Sequence, residues 1–135
     1  MQQFAFLAVA GALALGGCTT VSDEPADNCR VLESEGWAAN VASVPGNPDR
    51  NQLTVTGRVT MPTPAYTFAW EAGRLDRSAV PSFELRLLAT PPDGMVAQVL
   101  DTSEVTYTGP AAAPRYSAIT VTCEGRVLAR IEDVG

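Results

Sequence analysis

The sequence predicts an all-β fold in which about seven or eight short strands pack as an antiparallel sandwich over residues 29–135. Three observations lead to this. Apolar residues recur with a period of two, proline- and glycine-rich segments break the pattern at short intervals, and no stretch beyond the first thirty residues has the three-to-four spacing of an amphipathic helix.

The strands follow in order. Trp37 to Val44 reads as the first, with Trp37, Ala39, Val41 and Ser43 on one face. In QLTVTGRVTM, Leu53, Val55, Gly57, Val59 and Met61 share a face, and the glycine marks a bulge or a close backbone approach. Tyr66, Phe68 and Trp70 alternate in YTFAW, and Phe83, Leu85 and Leu87 do so in SFELRLL. EAGRLDRSAV at 71–80 has room for a helical turn, and Val96 to Tyr107 reads as one strand long enough to bend or break. The last pair is the clearest: Ile119, Val121 and Cys123, a turn at Glu124-Gly125, then Val127, Ala129 and Ile131 form a hairpin. PGNPDRN at 45–51, PPDG at 91–94 and GPAAAPR at 109–115 are the turn-forming connections. The pattern is that of an immunoglobulin-like sandwich, with a closed barrel as the alternative.

Composition limits the function. Nine arginines against fifteen acidic residues give a net charge of -6, and the arginines are scattered from Arg30 to Arg130. Nucleic-acid binding needs clustered cations to displace counterions, so it is set aside. The chain contains no histidine and no lysine. It therefore lacks the usual general base near neutral pH and the commonest metal ligand, and neither a metal nor a cofactor is expected.

The amino terminus carries an address. From Phe4 to Gly17 the chain runs FAFLAVAGALALGG, fourteen residues without a charge, too short to span a bilayer and the right length for an export signal. Leu15-Gly16-Gly17-Cys18 resembles the lipobox of bacterial lipoproteins. The resemblance implies a signal peptide at 1–17, a diacylglyceryl thioether on Cys18 and cleavage just before it, with acylation (palmitate in the usual case) of the new amino group. Met1-Gln2-Gln3 departs from the family in lacking a basic residue. Thr19, rather than Asp, after the cysteine implies the outer membrane, with the domain on its periplasmic face. Residues 18–28 then form the lipidated cysteine and an acidic, flexible tether.

Once Cys18 is assigned to lipid, two cysteines remain. In the oxidising compartment that the resemblance implies, Cys29 and Cys123 are expected to form a structural disulfide.

Chemistry is harder to find. No GxSxG is present, and a serine nucleophile would have neither His nor Lys beside it. Glu33, Glu35, Glu71, Asp76, Asp93 and Asp101 leave a carboxylate-based hydrolase as a minor alternative. Trp70, Tyr107 and Tyr116 are aromatics able to floor a sugar or peptide site. MPTPAY at 61–66 is similar to the Asn-Pro-Thr-Thr-Gly-Tyr/Phe loop of chagasin-type inhibitors of cysteine peptidases, with Pro62, Thr63 and Tyr66 matching. Of that family's Arg-Pro-Trp motif only a reordered Pro114-Arg115-Tyr116 is found. The expectation is a non-catalytic envelope lipoprotein that binds a protein or glycan. Its candidate binding residues are Pro62, Thr63, Tyr66, Trp70, Arg115 and Tyr116, and peptidase inhibition is the alternative.

Overall fold

The computed structural model describes residues 28–135; the signal segment, Cys18 and residues 19–27 lie outside it. Among the described residues seven strands form two sheets without a helix: β1 Glu33–Val44, β2 Asn47–Met61, β3 Thr67–Leu75, β4 Ser82–Thr90, β5 Asp101–Pro110, β6 Tyr116–Cys123 and β7 Arg126–Val134. One sheet has the order β1-β2-β5 and the other β3-β4-β6-β7. All pairs are antiparallel except β4 with β6, which run parallel because β5, the strand between them in sequence, belongs to the opposite sheet. The all-β sandwich expected from the alternation is present.

The pattern that predicts the strands also fills the core. In β2, Leu53, Val55, Val59 and Met61 are fully buried while Thr54, Thr56, Arg58 and Thr60 point outward. Leu85 and Leu87 of β4, with Ile119 and Val121 of β6, face them from the other sheet. Each such aliphatic side chain contributes roughly 1.5–3 kcal/mol of transfer free energy. Trp37 and Trp70 pack against both halves of this core.

Several expected boundaries shift for identifiable reasons. The strand expected over Val96–Tyr107 begins at Asp101, because its partner β2 ends at Met61, opposite Asp101, where Pro62 turns the chain away. Residues 91–100 have no ladder to join. No helical turn forms at 71–80; β3 continues to Leu75 through a register shift between Ala72 and Leu75. At Gly73 a Cβ would stand 2.9 Å from the Glu84 side chain and 3.0 Å from the Glu84 carbonyl oxygen, so β4 approaches the glycine backbone closely there.

β1 starts at Glu33, four residues earlier than expected. A further shift between Ser43 and Val44 turns Ser43 outward and Val44 inward. The 45–51 connection is a tight turn at Pro45-Gly46, after which β2 begins. In the last hairpin Glu124 and Gly125 both have positive φ, 48° and 85°, as a two-residue turn of matching twist requires. A bulge between Val121 and Thr122 displaces the expected face of β7: Val127 is exposed, and Leu128 joins Ala129 and Ile131 against the core.

The register defines two ends. The first carries the 45–46 turn, the 76–81 loop and the 111–115 loop, tied by a 2.8 Å bond from Ser117 N–H to Pro81 O. The second carries residues 28–32, the 62–66 loop, residues 91–100 and the 124–125 turn. There a disulfide joins Cys29, just ahead of β1, to Cys123 at the end of β6, with Cα atoms 5.4 Å apart. Arg126 Nη2 reinforces the junction, donating to the Val31 carbonyl and, at 3.2 Å, to Cys29 Sγ.

Candidate functional site

A cleft of about 610 Å³ opens at the first end between two turn-rich segments far apart in sequence. One wall is Val44, Asn47 and residues 49–52; the other is residues 109–114. Apart from Val44 and Gln52, both fall within connections, 45–51 and 109–115, that the sequence marks by their proline and glycine content. The first wall stands out because Val44 pairs with Asn47 while Ser43 pairs with Asn51, which leaves Pro48, Asp49 and Arg50 looped out of the ladder. The second is pinned to it: Ala111 N–H donates to Asn51 O at 2.9 Å.

Tyr116 braces this second wall from below. Its hydroxyl accepts the Ala112 N–H at 2.7 Å, and its ring lies 6.0 Å from Phe83 within the core. Only 2% of Tyr116 is exposed, so it shapes the cleft without lining it.

The lining has the character of a binding surface. Asn47, Asn51 and Gln52 bring amides that both donate and accept, Asp49 and Arg50 bring one charge of each sign, and Ala111–Ala113 between two prolines form an apolar wall. It contains no Ser, Thr, Cys, His or Lys to act as a nucleophile.

The six residues singled out from sequence are not brought together. Pro62, Thr63 and Tyr66 lie at the second end, while Arg115 and Tyr116 lie at the first. Trp70 sits midway along β3, donating its Nε1–H to Thr106 O at 3.0 Å and meeting Tyr107 edge-on at 5.9 Å. It thereby closes the gap between the edge strands β3 and β5. Burial is the main cause that raises the Tyr107 hydroxyl pKa. Sequence reasoning marked the 45–51 connection but not the individual residues Asn47, Asp49 and Arg50. Their signal is weak, since Asn, Asp and Arg are common in any turn.

The 62–66 loop has one feature in keeping with its resemblance. Ala65 takes φ of 69°, a left-handed conformation, at the position where the chagasin-type loop has glycine. Ala65→Gly removes a cost of about 1–2 kcal/mol and adds about 0.5–1 kcal/mol of unfolded-chain entropy. A net gain of about 0.5–1 kcal/mol is expected in thermal or urea unfolding, whereas Ala65→Val, which crowds the same backbone, should lose stability.

The acidic residues disperse over both ends and over the sheet faces between them. Glu33 and Glu35 border a recess with Thr60 and Thr102 on the outer face of the three-stranded sheet. Glu71 pairs with Arg86 at 2.9 Å, and Asp101 accepts the Ser103 hydroxyl at 3.0 Å. Asp76 caps its own loop. It takes the Ser82 hydroxyl at 2.6 Å and the backbone N–H groups of Ser78 and Ser82, and its pKa is lowered to about 2, chiefly by that hydroxyl. Glu84 is also held below its usual range, above all by its hydrogen bond from Arg86. Among the described residues, no group of three or more His, Cys, Asp or Glu is placed to hold a metal ion. Comparison with known proteins yields no matching family model, no matching curated protein and no matching solved structure.

Proposed function

We propose that this chain is a non-catalytic lipoprotein, anchored through a lipid on Cys18 to the periplasmic face of the outer membrane, which uses the cleft at the first end to bind a protein or glycan of the envelope. The observation that carries the reading is the position of the cleft. It lies at the end opposite Cys29, where the chain leaves the sandwich toward Cys18. An anchor at one end and a polar, amide-rich recess at the other suit a module that presents a binding surface away from its membrane.

The non-catalytic part rests on chemistry. A general acid needs a carboxyl pKa raised toward neutrality, and the two displaced carboxyls, Asp76 and Glu84, move the opposite way. A photo-crosslinking amino acid at Ala112, in cells, should capture a discrete envelope component. The same group at Arg130, on the outer face of β7, should not. Equal capture from both positions, or none from either, counts against the cleft. Cys18→Ala should abolish fatty-acid labelling and leave the precursor uncleaved.

The alternative, a chagasin-like inhibitor, is favoured by one observation: the left-handed Ala65 loop shares the second end with residues 91–100 and the 124–125 turn. It predicts stoichiometric inhibition of a cysteine peptidase by the purified protein, lost on Tyr66→Ala, and no dependence on the cleft.

A further inference from the structure

The second end exposes apolar side chains to a degree the first does not. Among the described residues seven large hydrophobic side chains are exposed, and five of them, Leu32, Met95, Val99, Leu100 and Val127, belong to the second end. Only Leu75 and Val80 belong to the first. Met95 is fully exposed and the other four are more than half exposed. The run from Gly94 to Leu100, GMVAQVL, has no charge and no sheet partner. A soluble domain normally covers or breaks such a run, so its exposure points to a surface it meets.

From these positions we infer that the second end rests on the lipid surface, with Met95, Val99 and Leu100 entering the interfacial layer and Leu32 and Val127 flanking them. The inference rests on the anchor reading above. Ten residues, 19–28, separate Cys18 from Cys29. Whatever their conformation, the eleven steps from Cys18 to Cys29 span at most about 40 Å. Cys29 belongs to the same end as the apolar side chains, so a lipid on Cys18 brings this end, before any other part of the sandwich, to the bilayer. The ten-residue β5 runs from one end to the other, about 33 Å, so the cleft is carried clear of the headgroups. Tethering supplies a high local concentration of membrane, and side chains too few to bind a bilayer alone suffice once the anchor holds them beside it. The charges at this end, Arg30 and Arg126 against Glu33, Asp93, Asp101 and Glu124, sum to -2, so contact with neutral lipid is unopposed while anionic lipid opposes it by a modest amount that the apolar side chains and the tether offset.

The test uses the full acylated protein, purified from membranes and reconstituted into vesicles of phosphatidylethanolamine and phosphatidylglycerol. An environment-sensitive fluorophore is attached through Met95→Cys in one sample and through Val80→Cys, at the first end, in another. The expected result is blue-shifted emission at position 95, quenched by lipids spin-labelled near the headgroup, with position 80 open to aqueous iodide. Val99→Ser with Leu100→Ser should reduce lipid quenching at 95 several-fold while acylation of Cys18, read by mass spectrometry on the same sample, is unchanged. An acylated protein whose position 95 is as open to iodide as position 80 overturns this inference and leaves the proposed function standing. A chain without acyl groups on Cys18 overturns both. Protection of position 95 in native envelopes but not in these vesicles assigns the end to a protein instead, as the inhibitor reading requires, and equally rejects the lipid surface.

Discussion

Replacing Cys29 and Cys123 together by alanine is expected to lower the stability of the oxidised domain by about 4 kcal/mol, the largest effect of any change proposed for this chain. The bond closes a loop with a sequence separation of 94. Removing that constraint returns to the unfolded chain an entropy worth about 4.7 kcal/mol in the loop-closure model, an upper figure because residual unfolded structure reduces it. On the folded side the change also removes the Arg126 contact to Cys29 Sγ and the packing of the buried Cys123 sulfur. The Arg126 contact to the Val31 carbonyl and the burial of Val31 do not depend on the sulfurs. Urea unfolding should therefore show a fall in midpoint together with a steeper dependence on urea, since the unlinked chain exposes more surface when unfolded. A loss below about 1 kcal/mol would mean that the bond does not constrain the unfolded ensemble as its span requires.

Gly57→Ala comes second, at about 2–3 kcal/mol. Gly57 is a buried, inward-facing position of β2, and the six-membered ring of Trp37 lies directly on its backbone. An added Cβ would stand 2.3 Å from Trp37 Cε3 and 2.4 Å from Cδ2, closer than any packed carbon can approach. The ring must move, and it bears on both halves of the core. Among the described residues the buried Trp37 indole N–H finds no acceptor, so no hydrogen bond from them helps to hold the ring in place. The cause can be isolated by repeating the substitution with Trp37→Leu. In that background Gly57→Ala should cost less than about 1 kcal/mol, and an undiminished cost would place the strain in the β2 backbone instead.

The sequence made the strands legible because a half-buried strand must alternate, and Leu53 to Met61, Phe83 to Leu87 and Ile119 to Cys123 alternate cleanly. The bulges were not legible. One residue added to one strand reverses the face of everything beyond it, and Ser43, Val127 and Leu128 carry no compositional mark of where that happens. Nor does a strand show in its own residues where its partner stops, which is why 96–100 read as strand although β2 had already ended at Met61.

The candidate site was half legible. Proline and glycine flagged 45–51 and 109–115 as turns, but only the pairing of β2 with β5 brings those turns to one end. The aromatics misled for a related reason. Trp70 and Tyr116 resemble binding residues until their polar atoms are found to be engaged with the protein's own backbone, at Thr106 and Ala112.

The parallel contact between β4 and β6 bears on how the chain reaches this state. Three hairpins, β1-β2, β3-β4 and β6-β7, each join neighbours in sequence and can close from local contacts. β5 belongs to none of them. It lies along β2 in the other sheet, and β6 returns beside β4 so that Ser82 meets Ala118, thirty-six positions away along the chain. The pairings that join the three hairpins and β5 into one sandwich are thus all non-local, and contacts of that separation, rather than the hairpin turns, are expected to slow the folding of this chain.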